Sequence, residues 1–343
     1  MCFVLPPAAQ WQLTMATSAA CTTNSLRISD VTMTHTRTRS HLALTRTCIL
    51  VTLLIAACFP TGTLGDNQHE ATTNLSIIDI RYPTFDIEVL PRVNEYRFSL
   101  LKLAMDKSGY RYKITLVPVN FLSGHRSQKY LEDNQFNIYW LNTTKERESK
   151  LIPVRIPLLK GLIGWRLLLI NPASEQKFIA IQQAEDLRAL VATQGHDWPD
   201  VAVFKYNQLP IITSANRNSL FKMLKIGRVD YLPRSILEIF YDKENYAAMH
   251  FEIESTLALH YPAAVYFFTN KQHPEIAKAL LLGLSRAIAD GSFEELFLTY
   301  FSEDIQKAAL DKRRVIELKK PDLELPNDPQ YWYYPATKTD VKN

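Results

Sequence analysis

The chain has 343 residues, 47% hydrophobic and 22% charged, the balance of a water-soluble globular protein long enough for two domains. Its formal charge of +4 arises at the amino-terminal end: residues 1–65 hold four arginines and one aspartate, leaving 35 basic and 34 acidic residues downstream. That even balance argues against a nucleic-acid partner, which calls for a concentrated basic footprint, and the ten glycines form no phosphate-cradling loop.

All four cysteines (Cys2, Cys21, Cys48 and Cys58) precede residue 59, so the remainder carries no disulfide, thiolate metal site or cysteine nucleophile. Neither a metal nor a cofactor is implied. Residues 1–32 lack periodicity. From Met33 onward, Arg37, Arg39 and Arg46 precede an apolar stretch from Cys48 to Phe59 and a small-residue stretch from Pro60 to Gly65, the pattern of a secretory signal peptide. That apolar stretch, at 12 residues, is too short for a spanning helix of about 20. The expectation is translation from Met33, cleavage after Gly65 and export. Ile55-Ala56-Ala57-Cys58 also resembles a bacterial lipobox, which would lipidate Cys58; otherwise Cys58 is one more small apolar residue.

Further along, Leu75–Ile80 reads as a strand, Glu95–Ser108 as a helix ended by Gly109, and Tyr112–Val117 as a second strand. A short polar helix at Ser127–Asn134 and a strand at Phe136–Leu141 follow, which predicts a parallel α/β sheet. Between Asn142 and Ile170 the chain changes lobes. Pro153 and Pro157 suit a connection, and Leu162–Ile170 is a continuous apolar run, as in a strand buried on both faces.

The pattern then repeats. A short helix at Ala184–Leu187 precedes a strand at Arg188–Ala192, and Val201–Lys205 and Gln208–Ile212 read as extended. Ser214 is expected to cap a helix that buries Leu220, Phe221, Leu224 and Ile226, with Gly227 ending it before a strand at Val229–Leu232. Leu257–Thr269 is extended and interrupted by Pro262. Pro274 opens a helix with Ile276, Leu280, Leu284 and Ile288 at four-residue spacing, and Ser292 with Glu295 suggests a capping box for the next. A strand at Val315–Leu318 comes before Tyr331-Trp332-Tyr333-Tyr334, read as a clamp onto the body.

Four motifs in this order resemble the type II extracytoplasmic solute-binding proteins, family 3, the polar amino-acid receptors of ABC transporters. Thr144-Lys145-Glu146-Arg147 is similar to the family's T-x-E-R, and Glu185-Asp186-Leu187-Arg188 to its E-D-L-K/R. Leu224 to Asp230 is similar to L-x-x-G-R-x-D, and Ile288 to Ser292 with Leu296 and Tyr300-Phe301 to the closing helix pair. Gln194 to Asp200 and Tyr231 to Arg234 resemble a divergent proteobacterial branch. The resemblance implies two α/β lobes, each a mostly parallel sheet flanked by helices, with two hinge crossings and a ligand between them. Lobe one is assigned 66–157 and 263–343, and lobe two 158–262, after an upstream segment at 1–65.

Arg147 leads the site residues: in the family this arginine grips an α-carboxylate, which suits a planar guanidinium. The alternative is a surface arginine paired with Glu146 or Glu148. Thr144 belongs to the same motif. Gln194, His196, Asp197 and Trp198 follow a strand, where a helix amino terminus could face an anion, or they form a rigid corner. Arg234 stands where the family presents an aspartate to the ligand's ammonium. With Arg147 it would favour an anionic solute, or it is bonded to Asp230. One of Tyr139 and Trp140 should face the cleft, because neighbours on a strand point oppositely. Trp165, Arg166 and Asp230 read as structural.

The function this implies is a monomeric periplasmic receptor that captures a small polar, anionic or amino-acid-like solute for an ABC permease. The alternatives are a domain reporting a solute to a membrane sensor, or an enzyme, since cyclohexadienyl dehydratases resemble this fold. His196 beside Asp197 invites the enzymatic reading, but no serine or cysteine nucleophile can be placed with them.

Overall fold

The first half alternates strands and helices. The strands are β1 (Ile78–Phe85), β2 (Tyr112–Val119), β3 (Ile138–Asn142) and β4 (Ile152–Val154), and between them run α1 (Pro91–Ser108), α2 (Gly124–Glu132) and α3 (Lys145–Lys150). The structure, a computed structural model, describes residues 77–85, 90–119, 124–320 and 324–335. The signal-peptide, Met33 and Cys58 expectations lie outside the described residues. Helix α1 starts four residues earlier than the spacing suggests, because Pro91 occupies its first turn, where a missing N–H costs nothing. It ends at Gly109, in the left-handed region at φ 79°.

β1 and β2 pair in parallel over eight residues. Asn137 ties β3 to β1: its side chain donates to Asp79 O (2.8 Å) and accepts from Arg81 N (2.8 Å). β11 (Val265–Thr269, below) then lies between β3 and β4, antiparallel to both.

The second half contains β5 (Trp165–Ile170), α4 (Gln176–Ile179), β6 (Ala192–Gly195), α5 (Asp200–Tyr206), β7 (Ile211–Ser214), α6 (Arg217–Lys225), β8 (Tyr231–Ser235), α7 (Ile239–Asn245), β9 (Glu252–Ile253) and β10 (Leu257–His260). The chain ends with β11, α8 (Pro274–Ala289), α9 (Ser292–Ala308) and β12 (Arg314–Glu317). The large sheet runs β12-β10-β5-β8-β6-β7, with β9 also on β5. All six residues of β5 are buried, as its unbroken apolar run requires. Among the described residues β1-β2 is a parallel pair, β3-β11-β4 is antiparallel throughout, and the large sheet is mixed. Pairs such as β6 with β7 and β8 are parallel, whereas β5 and β11, which follow the two crossings, run antiparallel to their neighbours. Strand β12, from the segment assigned by sequence to lobe one, pairs with β10 at the edge of the large sheet.

Several local expectations change. Residues 201–205 belong to helix α5: Val201, Val203 and Phe204 share its buried face, and the β-branched valines mimic a strand. Residues 184–189 form a 3-10 turn and strand β6 begins only at Ala192. The cap of α6 is Asn216, whose side chain accepts from Ser219 N (3.2 Å), and Ile226, past the last turn, is 76% exposed. Ser292 lies inside the first turn of α9, after Gly291 at φ 82°, and bonds back to Asp290. On α8, Ile276, Leu280 and Leu284 are fully buried and Ile288 partly so. Helices α1 and α8 meet backbone to backbone: a Cβ on Gly283 would lie 1.7 Å from Ala104 O. At the end of the chain, Tyr333 N donates to Lys160 O (2.8 Å) and Trp332 packs over Gly161, a clamp at the first crossing.

Candidate functional site

The first-lobe wall is organised by α3. Its cap, Thr144, accepts from Arg147 N (3.2 Å) and so fixes the turn that carries Arg147 inward. Arg147 is 5% exposed. Nη1 donates to Asn142 O (2.6 Å) and Nε to Gln128 Oε1 (3.3 Å), while Nη2 has no hydrogen-bond partner among the described residues. Gln128 is itself held by Glu132 (2.8 Å). Burial lowers the pKa of Arg147, and the carboxylates of Glu146 and Asp197 oppose that shift. Arg147, Gln128 and Thr144 line a cavity of about 290 Å³ whose other side is His196, Asp197 and Trp198 of the second lobe.

The second-lobe wall begins where β6 ends. Trp198 folds back over Gly195 so closely that a Cβ there would lie 2.5 Å from the indole, which only glycine permits. The indole then covers the Arg234 guanidinium at 4.7 Å. Asp197 keeps Oδ2 buried without a hydrogen-bond partner. Gln194 donates to Pro233 O (3.0 Å) and leaves its own Oε1 unpartnered. His196 is exposed. The helix start that could have faced an anion carries Asp200, whose carboxylate pairs with Arg166 (2.6 Å).

Arg234, 2% exposed, lines a second cavity of about 260 Å³ with Trp198, Asp197 and Asn142, but its charge is already met. Nε donates to Asp242 (2.6 Å), and Nη2 lies 3.2 Å from Glu238. Arg217 takes the other oxygen of Asp242, and Arg166 reaches Asp200, Glu238 (3.4 Å) and the hydroxyl of Tyr261 (2.9 Å). Three guanidinium groups thus meet three carboxylates. Burial pulls the Arg234 pKa down, and Asp242 with Glu238 more than reverse this, leaving it above the ordinary arginine value. Burial likewise pushes Glu238 up, while Arg234, Arg166 and Arg217 bring it below the usual carboxylate range. Arg234 therefore offers the cleft no uncompensated charge, and it is bonded to Asp242 and not to Asp230. Asp230 instead pairs with Lys177 (2.6 Å) and accepts from Val191 N (2.7 Å).

The rings of Tyr139 and Trp140 lie side by side, their centroids 4.8 Å apart. Tyr139 is buried in a small cluster with Phe136, and Trp140 lines a third cavity, of about 360 Å³, with Tyr82, Phe98 and Asn94. The structure thus brings Arg147, Thr144, His196, Asp197 and Trp198 to one cavity and Asp197, Trp198 and Arg234 to the next. Tyr139 lines none of these cavities, and Gln194 sits beneath them as support. Sequence reasoning missed Gln128, Tyr82, Glu238 and Asp242. A usable signal existed for the last two, since Arg234, Glu238 and Asp242 recur every four residues. Gln128, on a short polar helix, gave none.

Among the described residues no cluster of ligating side chains is placed to hold a metal, and no helix is long and apolar enough to cross a membrane. No family model matches the chain, and no curated protein matches it. Solved structures do match. The probable amino-acid ABC transporter extracellular-binding protein ytmK of Bacillus subtilis is 19% identical, and the match covers 66% of this chain and 99% of that one at a TM-score of 0.52. The periplasmic VFT2 domain of Bordetella pertussis BvgS is 18% identical, covering 65% and 93% at 0.49. The GluR0 ligand-binding core of Nostoc punctiforme, in complex with L-glutamate, is 14% identical, covering 65% and 99% at 0.46. At such identities the likeness concerns architecture. The ytmK match spans nearly the whole of that protein, and the α/β arrangement described above underlies it here: the chain has the two-lobe fold of the type II extracytoplasmic solute-binding proteins.

Proposed function

We propose that this protein is an extracytoplasmic receptor that closes its lobes on a small solute of amino-acid type. One observation carries the reading: Arg147 of the first lobe and Asp197 of the second border one cavity of about 290 Å³ with bonding capacity left over. The cavity suits a solute of roughly amino-acid size. A ligand carboxylate would complete Arg147, and a ligand ammonium would satisfy the buried oxygen of Asp197, whose desolvation otherwise costs about 1–3 kcal/mol or more. Because the two groups come from different lobes, a zwitterion stabilises the closed state over the open one. With Arg234 paired internally, the ammonium partner passes from the family's usual position to Asp197.

The reading includes export to the periplasm as a monomer, soluble or anchored through Cys58, and delivery of the solute to an ABC permease or a membrane sensor. It is a binding function without turnover. A thermal-shift screen of amino acids, dicarboxylates, polyamines and small peptides tests it. A ligand at 100 times its Kd adds about 2.7 kcal/mol, or roughly 5–10 °C in Tm. Arg147→Ala is expected to abolish the shift and leave the unliganded Tm nearly unchanged. Full affinity in that variant would remove Arg147 from the site and the reading with it, and turnover lost on substituting His196 would establish an enzyme instead.

A further inference from the structure

The first lobe contains a second buried cation that no carboxylate pairs with among the described residues. Arg97, on α1, is 4% exposed, and its guanidinium lies 3.2 Å from the centroid of the Trp140 ring. Nε is buried without a hydrogen-bond partner, and Nη1 makes one long bond, to Asn94 Oδ1 at 3.4 Å. Among the described residues no carboxylate lies within ion-pairing distance of it, in contrast to Arg166, Arg217 and Arg234. Burial lowers its pKa to about 10, against the opposing influence of Tyr139, Tyr82 and, in the other lobe, Glu238, so it remains a cation at neutral pH. A charge held this way costs several kcal/mol unless an anion meets it.

The surroundings say where that anion would come from. Asn94, which bonds the guanidinium, and Trp140, on which it stacks, both line the cavity of about 360 Å³, together with Tyr82. Tyr82 lies in the carboxyl-terminal half of β1, the side of an α/β sheet on which ligands bind, and Trp140 at the middle of β3. Stacking on Trp140 fixes the guanidinium plane and leaves the donors on its edge for a carboxylate. Glu238 does not serve, because Arg234, Arg166 and the backbone N–H of Ser235 already engage it.

We infer that Arg97, held on Trp140, is a specificity-determining residue that receives a second carboxylate, and that the solute is an acidic amino acid. The inference rests on the amino-acid-receptor reading above and extends it through charge. Of the three groups Arg97, Arg147 and Asp197, one cation is left over, which the second carboxylate of an acidic amino acid would pair; Glu95, which also lines the cavity beside Arg97, is exposed to solvent. A neutral amide leaves Arg97 unpaired, and a basic side chain opposes it.

Isothermal titration of the full exported chain with L-glutamate, L-aspartate, L-glutamine, L-asparagine and L-arginine decides the matter. The acids are expected to bind about 100-fold more tightly than the amides, the effect of leaving one buried charge unpaired. Arg97→Gln should bring acids and amides to similar affinity, and Arg97→Lys should restore part of the difference because it retains charge without the planar fork. Circular dichroism checks that both variants fold; if Arg97→Gln does not, the acid-to-amide ratio of the parent and of Arg97→Lys still decides. Equal binding of glutamate and glutamine by the parent overturns the subsite while the receptor reading stands, as does a preference that survives in Arg97→Gln. Failure of every amino acid to bind overturns both.

Discussion

The two walls of the cleft use the same side chain in opposite ways. On the second lobe, Arg166, Arg217 and Arg234 are locked to Asp200, Glu238 and Asp242, so their charge is spent inside the lobe. On the first lobe, among the described residues, Arg147 is held by neutral oxygens and Arg97 by an aromatic face and one amide oxygen. A buried guanidinium paired with a carboxylate stabilises architecture, and one bonded to neutral groups retains the capacity to attract an anion. Counting arginines near a cleft therefore says little about ligand charge. What each arginine is already bonded to decides it.

The contrast can be broken hardest at Asp242, which holds both Arg217 and Arg234. Asp242→Asn is nearly isosteric but takes a carboxylate from the buried Arg234 and the partly buried Arg217, and should lower stability by about 3–5 kcal/mol. For a chain of this size that is a fall of roughly 6–20 °C in Tm. Thermal denaturation monitored by circular dichroism measures it, and a loss below about 1 kcal/mol would show that the network does not hold the lobe together.

A smaller effect on stability, but a specific one on binding, is expected at Asp197. Its buried oxygen has no hydrogen-bond partner among the described residues, so Asp197→Asn should leave the stability without ligand within about 1 kcal/mol of the parent. Affinity for a zwitterionic ligand should fall about 10- to 100-fold, as a charged hydrogen bond becomes a neutral one. Calorimetric titration distinguishes this from a structural lesion.

The smallest expected effect concerns Lys320, a further cation near Asp200 and Arg166. Burial lowers its pKa to about 8, opposed by Asp200 and reinforced by Arg166. Because the folded value lies below the unfolded one, the unfolded chain holds the extra proton between about pH 8 and 10.5, and stability from this group rises with pH across that window. Below pH 8 both states are protonated and the cost is fully present. Lys320→Met should therefore gain about 1–2 kcal/mol at pH 7, a gain that shrinks towards pH 10.5. Tm measured against pH for both proteins gives the difference, and parallel curves would exclude the effect.

Much of the fold was legible in the chain. The unbroken run at β5, the four-residue spacing of α8 and the glycines at 109, 227 and 291 mark elements whose cause is local. Errors fell where local preference and tertiary context disagree, as at α5, where two valines suggested a strand but Val201 and Phe204 share one helical face. The short motif around Arg147 marked a local structure too, the turn capped by Thr144. The state of Arg234 was not legible, because its partners are conveyed by a turn and a helix after β8.

By itself the sequence determined most of the alternation of strands and helices and the buried run of β5, because periodicity, proline and glycine act over a few residues. Only the tertiary structure decided which charges cancel and which remain. Arg166 meets Asp200, and Arg97 meets Trp140, through sheet order and helix packing, and contacts between residues so distant in the chain leave no local pattern to read.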